Sequence, residues 1–265
     1  MKGNNKISID NVRSSISLQS SGNLFGTQVS ANLYGLSMEL LAALSARAMG
    51  NYGTGTESVS LDIFVEENKI FSGFMNSSIA NMNMVPNAAL IINATASYEL
   101  QNKVMPPFSF GGPIPVTDIL TAICKPVGYE PLITGLKNQV ATNPHYSGSV
   151  FEQLSGVCHD FAIAMSVMQP KISFWPSESK RDDVIPLVSP RHGLIGYPIF
   201  SNGGVMFQTQ FSTLLTTGRN INLDTSLPHA KGTYQLTSVT HELSSMIPDG
   251  PWHSICMANK QRDGV

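Results

Sequence analysis

Apolar side chains recur at every second position in several stretches of the first hundred residues. In "SVSLDIFV" Val59, Leu61, Ile63 and Val65 share one face, "EENK" reverses the chain, and "IFSGFMNSSIANMNM" follows. Pro86 and Asn87 separate that run from "AALIINATA", so the spacing predicts three consecutive strands in a meander. One helix precedes them. Ser37 is its N-cap, Leu40, Leu41, Leu44 and Ala48 form its apolar stripe, and Gly50 ends it. A helix thus interrupts an otherwise antiparallel unit.

The punctuation changes at "MPPFSFGGPIP", which carries four prolines and two glycines and marks a boundary. Beyond it Val116, Ile119, Leu120 and Ile123 follow the i, i+3, i+4, i+7 spacing of a helix, stopped by Pro126 and Gly128. Ser149 and Glu152 form a capping box that starts a second helix, which buries Phe151, Leu154, Cys158 and Phe161. Short strands in "PLITGL" and "KISFW" complete a small α/β module over residues 113–183, and "SESKRDD" at its end reads as a solvated linker. Strands then return. "GVMFQTQF" alternates, and "GTYQLTSVTHEL" is a long strand whose register breaks near Thr237, predicting a bulge. "SSMIPDGP" turns the chain between two final strands, with His241 near the end of one and Trp252, a packing anchor, at the start of the next. The fold class is mainly β (α+β). Residues 1–112 and 184–265 are two antiparallel β units, or one discontinuous β domain, around the inserted module.

Composition narrows the function. The 265 residues are 42% hydrophobic but only 13% charged, about half the usual ~25% share. So little charge predicts a surface covered by partners. The net charge of −2 argues against tight nucleic-acid binding, which depends on Lys and Arg meeting phosphate. The three cysteines, Cys124, Cys158 and Cys256, lie far apart and read as buried small hydrophobes in a reducing compartment. The N-terminal stretch has no apolar run and no segment is long enough for a membrane helix, so folding in the cytosol is expected.

Catalytic patterns do not emerge. "HEL" at His241 invites a zinc reading, but the position four residues on is Ser245, and His253 lies beyond Pro248, Gly250 and Pro251. The glycines of "GNYGTGTES" (Gly50, Gly53, Gly55) precede no helix signal and read as a flexible connection. His159 has no ligand partner at useful spacing. Glu152 and Asp160 stand eight residues apart on one helix, or ~12 Å, beyond a glycosidase pair. No catalytic, cofactor-binding or metal-ligating set is therefore assigned, and the expectation is a protein that is not an enzyme.

Six stretches in order, "NLYGLSMELLAALS", "FSGFMNSSIANMNMVPNAALIINATAS", "PFSFGGPIPVTDILTAICKPVGYE", "NPHYSGSVFEQLSGVCHDFAI", "ISFWPSESKRDDVIPLVSPRHGLIGYPIF" and "GTYQLTSVTHELSSMIPDGPWHS", resemble the baseplate or tail hub proteins of tailed bacteriophages. The resemblance implies tube-like β domains with an inserted α/β module. It also implies a structural role in the virion tail: capping the tail tube and joining it to a central spike or fibre protein and other baseplate proteins, as a homo-oligomer. If the two β parts are versions of one fold, three chains present six units around a ring, which predicts a trimer. Met75, Met82 and Met84 suit either a core or a partner-accepting surface. The rival reading is a virion cell-wall module or enzyme, with residues 113–183 holding peptidoglycan. A tube-terminating or tape-associated adaptor shares the same physics.

Overall fold

The computed structural model describes residues 6–21, 26–49, 59–84, 87–136, 138–201 and 203–260. Its first two strands, β1 (Arg13–Ser21) and β2 (Thr27–Tyr34), pair antiparallel. They come from serine-rich sequence that the apolar pattern did not single out. Helix α1 (Met38–Met49) starts where expected, with the Leu40 N–H donating to Ser37 Oγ at 3.3 Å. Leu41 and Leu44 are buried, whereas the Ala48 side chain, Gly50 and the glycine-rich stretch after it lie outside the described residues. Then come β3 (Ser60–Val65), β4 (Asn68–Asn81) and β5 (Ala89–Thr95), neighbours in that order as a meander. Met75 is buried and Met82 exposed.

A short α2 (Tyr98–Asn102) leads through the proline-rich segment, with β6 (Phe108–Ser109) and β7 (Pro113–Pro115), to α3 (Val116–Cys124). On α3 the four predicted stripe residues are all fully buried. After β8 (Glu130–Ile133), β9 (Val140–Thr142) and β10 (His145–Tyr146) comes α4 (Val150–Asp160). Its capping box is present in both directions: the Glu152 N–H donates to Ser149 Oγ at 3.2 Å, and the Ser149 N–H donates to Glu152 Oε2 at 2.7 Å.

The buried face of α4 differs from the expected one. Val150, Gln153, Leu154, Val157 and Cys158 are buried, while Phe151 and Phe161 are only half-buried. The cap fixes Val150 as the first helical residue, which turns Phe151 toward the rim. Gln153 tolerates burial because its amide accepts from the Phe108 N–H and donates to the carbonyls of Pro106 and Gly148. This one side chain pins the proline-rich segment to the helix. Strands β11 (Ile163–Met168) and β12 (Lys171–Pro176) follow, and β8 joins β12 in parallel.

The C-terminal part comprises β13 (Leu187–Val188), β14 (Leu194–Ser201), β15 (Gly204–Gln210), β16 (Asn220–Leu223), β17 (Gly232–Ser245) and β18 (Trp252–Lys260). The bulge falls where predicted, between Leu236 and Ser238 of β17. The β parts do not form separate sheets. Ser17 of β1 pairs with Glu242 of β17, so one sheet runs β14-β15-β18-β17-β1-β2-β5-β4-β3. Strands from residues 1–112 and from 184–265 thus share one hydrogen-bonded sheet.

One face of this sheet carries the core. Leu18, Val29, Ala31, Leu90, Ile92 and Ala94 are buried there and join the apolar faces of α1, α3, α4, β11 and β12 in one cluster. A second cluster, with Val205, Phe207, Leu236, Val239 and Cys256, fills the C-terminal part.

Candidate functional site

In the "SESKRDD" segment Ser177, Glu178, Ser179, Lys180 and Asp183 are exposed as expected of a solvated linker, but Arg181 and Asp182 turn inward. The Arg181 guanidinium stacks over the buried Trp175 ring at 5.2 Å and donates to Ser173 and Thr216 hydroxyls, each at 3.2 Å. Asp182 accepts from Arg219 Nε at 2.9 Å, and a second Arg219 nitrogen completes a fork. Burial lowers the Arg181 pKa. Burial alone would raise that of Asp182, but the hydrogen bonds and charge of Arg219 outweigh it and hold the carboxyl below its usual range. Gly218 makes the contact possible: its φ is +84°, and a Cβ would come within 2.4 Å of the Trp175 ring. These residues lock β12 of the inserted module to the C-terminal strands. An aromatic four residues before a charge run, Trp175 before "SKRDD", was the available signal.

His241 sits on β17 rather than on a helix. It shares a 2.7 Å hydrogen bond through Nδ1 with the buried Ser254 hydroxyl and meets the Phe211 ring edge-on at 5.1 Å. Burial pushes its pKa down to about 4, and a hydrogen bond with the Leu215 backbone acts in the opposite direction. Trp252 is not buried as expected: it is 49% exposed and meets Phe211 at 5.5 Å. As the first residue of β18 it faces the core side, but at the end of the strand it is left half-exposed. The three cysteines are buried and unpaired, and burial pushes each thiol up to about 12. Among the described residues, no group of His, Cys, Asp and Glu is placed to hold a metal ion. His159 is exposed on α4, and Asp160 accepts from the Tyr146 hydroxyl at 3.0 Å.

The features left open to partners are the two ends of the sheet and its second face. At one end β14 exposes Ile195, Tyr197, Ile199 and Phe200, the last three by more than half of their surface, beside a register break between Ile195 and Ile199. At the other end β3 exposes Phe64, and on its core side Leu61, Ile63 and Val65 are only half-buried. Among the described residues neither strand has a partner on its outer side within the sheet, and such edges accept a further strand readily.

The face opposite the core is bare. From β15 across β18, β17, β1 and β2 to β5, one row reads Gln210, His253, Glu242, Ser17, Ser30 and Asn93. The next row reads Gln208, Ile255, Thr240, Gln19 and Gln28 and ends at Thr95, which is buried and accepts from the Asn76 amide at 2.7 Å.

Neither a family model nor a curated protein matches the sequence. Solved structures do match. The 43 kDa tail protein of prophage MuSo2 from Shewanella oneidensis superposes with a TM-score of 0.62 at 7% identity, covering 94% of this chain and 98% of its own. A tail protein from Neisseria meningitidis MC58 gives 0.67 at 8% identity over 94% and 96%. The fold is that of phage tail proteins. The E. coli c3393 protein, a type VI secretion component with structural similarity to T4 bacteriophage tail proteins gp27 and gp5, gives 0.63 at 11% identity over 95% of this chain and 74% of its own. At these identities the likeness is one of architecture, and it extends over nearly the whole chain with this tail-protein fold.

Proposed function

We propose that the chain is a structural hub of a phage tail: a ring-forming protein that caps the tail tube and adapts it to a central spike or fibre protein and to other baseplate proteins. The observation that carries the reading is the continuous sheet with two unlike edges, each exposing apolar side chains and each unpaired among the described residues. A sheet whose two ends differ can repeat head to tail, and repetition about an axis closes into a ring and removes every exposed edge. The half-buried Leu61, Ile63 and Val65 on β3 are a core face awaiting completion by the β14 side of a neighbour. The tail-protein architecture supports the same reading.

In this proposal residues 1–112 and 184–265 are two tube-like β units, and residues 113–183 are the inserted module. Three chains then present six units, giving threefold symmetry toward a spike and near-sixfold symmetry toward a tube. The hub is not an enzyme in this reading, and its place is the tail of the virion, after synthesis in the host cytoplasm. Electron cryomicroscopy of the tail end is the test. Three copies around the axis, with β3 of each beside β14 of the next, is the expected result. Six equivalent copies, or a location off the axis, overturns it.

A further inference from the structure

Away from the long sheet, the inserted module carries a groove of about 320 Å³ between the β9–β10 turn and the C-terminal end of α4, at the small end of the ~300–1,000 Å³ range of ligand clefts. Tyr146 and Phe161 are its aromatic members, both half-exposed. The Tyr146 ring lies against α4 at Gly156, where a Cβ would come within 2.9 Å of it. Glycine inside a helix is destabilising relative to alanine, and here the room it gives the ring accounts for its place. One helical turn further on, Asp160 Oδ2 accepts from the Tyr146 hydroxyl at 3.0 Å. The ring is thus held in one orientation by its body and by its tip.

Polar groups accompany it along the groove. The Asn143 side-chain oxygen accepts from the Gly112 N–H at 2.7 Å, which leaves its NH₂ group to donate. His145 Nδ1 is engaged by the Ser109 hydroxyl at 2.9 Å, which leaves Nε2. No Lys or Arg stands among the described residues that line the groove. The Asp160 carboxylate and the last carbonyls of α4, the negative end of the helix, make it electronegative. A phosphate- or carboxylate-bearing polymer is therefore disfavoured. An ammonium group would find the ring and the carboxylate, but it has no use for the Asn143 amide. A pyranose uses all of these groups: its C–H face packs on an aromatic ring and its rim of hydroxyls meets donors and acceptors.

We propose that this groove binds a neutral sugar unit of a surface polysaccharide, stacked on Tyr146 and held at its hydroxyl or acetamido groups by Asp160, Asn143 and His145. An N-acetylhexosamine of a cell wall and a neutral hexose of an outer polysaccharide share this chemistry. The site lies wholly within one chain, so it stands apart from the ring proposed above.

The free, full-length chain is the material for the test. Chitohexaose supplies the acetamido sugar and maltohexaose the plain hexose, each titrated by calorimetry, and purified bacterial sacculi supply the intact cell wall for co-sedimentation. The wild type should bind at least one of the two oligosaccharides, and should bind neither a polyphosphate nor an oligolysine. Chitohexaose binding together with co-sedimentation identifies the cell wall as the source; maltohexaose binding alone identifies an outer polysaccharide. Tyr146→Ala should weaken sugar binding about tenfold through lost stacking. Tyr146→Phe, which keeps the aromatic face, should weaken it less. Gly156→Ala, which displaces the ring, should weaken it as well.

Asp160 and His145 are exposed, so Asp160→Asn and His145→Ala should keep a urea midpoint near that of the wild type while weakening binding several-fold. They carry the test if Tyr146→Ala unfolds the module. Failure to bind either oligosaccharide overturns the proposal. So does binding that Asp160→Asn and His145→Ala leave unchanged, or a preference for the oligolysine or the polyphosphate over both sugars. None of these results bears on the hub, which microscopy of the tail end decides separately.

Discussion

His241 provides a direct measurement of how the C-terminal core is built. Its imidazole is 7% exposed, bonded to Ser254 and edge-on to Phe211, and its folded pKa lies at about 4 against 6.5 for the free side chain. The folded value is the lower one, so between those limits the unfolded chain holds the extra proton and stability falls as pH falls. A difference of about 2.5 pH units corresponds to about 3 kcal/mol in full, of which about 2 kcal/mol is lost between about pH 7 and 5. Urea unfolding across that range measures the slope, and His241→Gln, which keeps a hydrogen-bonding group near Ser254, removes the titrating group. The difference in stability between wild type and variant should shrink by about 2 kcal/mol from pH 7 to 5. A constant difference across that range would show that His241 titrates alike in the folded and unfolded chain and that the burial argument is wrong.

Three further outcomes follow from contacts described above. Asp182→Ala strands Arg219, whose side chain is 13% exposed, and should cost about 2 kcal/mol in urea unfolding, less than a fully buried pair because Asp182 is partly solvated. Ser149→Ala removes one arm of the capping box and should lower stability by about 1 kcal/mol, read most clearly as faster hydrogen exchange in the first turn of α4. Leu154→Asp, at a fully buried site, should unfold the inserted module by several kcal/mol, whereas Phe151→Asp at the rim should cost about 1 kcal/mol; equal losses by circular dichroism would contradict the observed helix face.

Sequence periodicity located α3, α4, the meander and the bulge at Thr237 because each is set by neighbours a few residues apart. It passed over β1 and β2, where "RSSISLQSS" and "TQVSANLY" place few apolar residues between serines. Ser15, Ser17 and Ser30 lie on the face opposite the core while Ser14 is buried on the core side, so serines on both faces blurred the alternation that would have marked the strands. The pairing of Ser17 with Glu242 joins residues more than two hundred positions apart, and no local pattern encodes it. The run at 177–183 misled in part because a charged segment is ordinarily solvated; Arg181 is half-buried and stacked on Trp175, a contact that exists only after the module has folded. Trp252 misled in the other direction: its parity puts it on the core side, and only its place at the end of the strand leaves it half-exposed.

Strand β18 lies between β15 and β17, with consequences for how the chain is made. While the ribosome is still short of residue 252, the β14–β15 hairpin has no connection to the strands that carry β3, so a nascent or truncated chain has its two terminal edges on separate pieces. Only after β18 slots in do both ends belong to one rigid sheet at a fixed distance. In the ring proposed above, unfinished chains therefore lack the geometry to close with their neighbours.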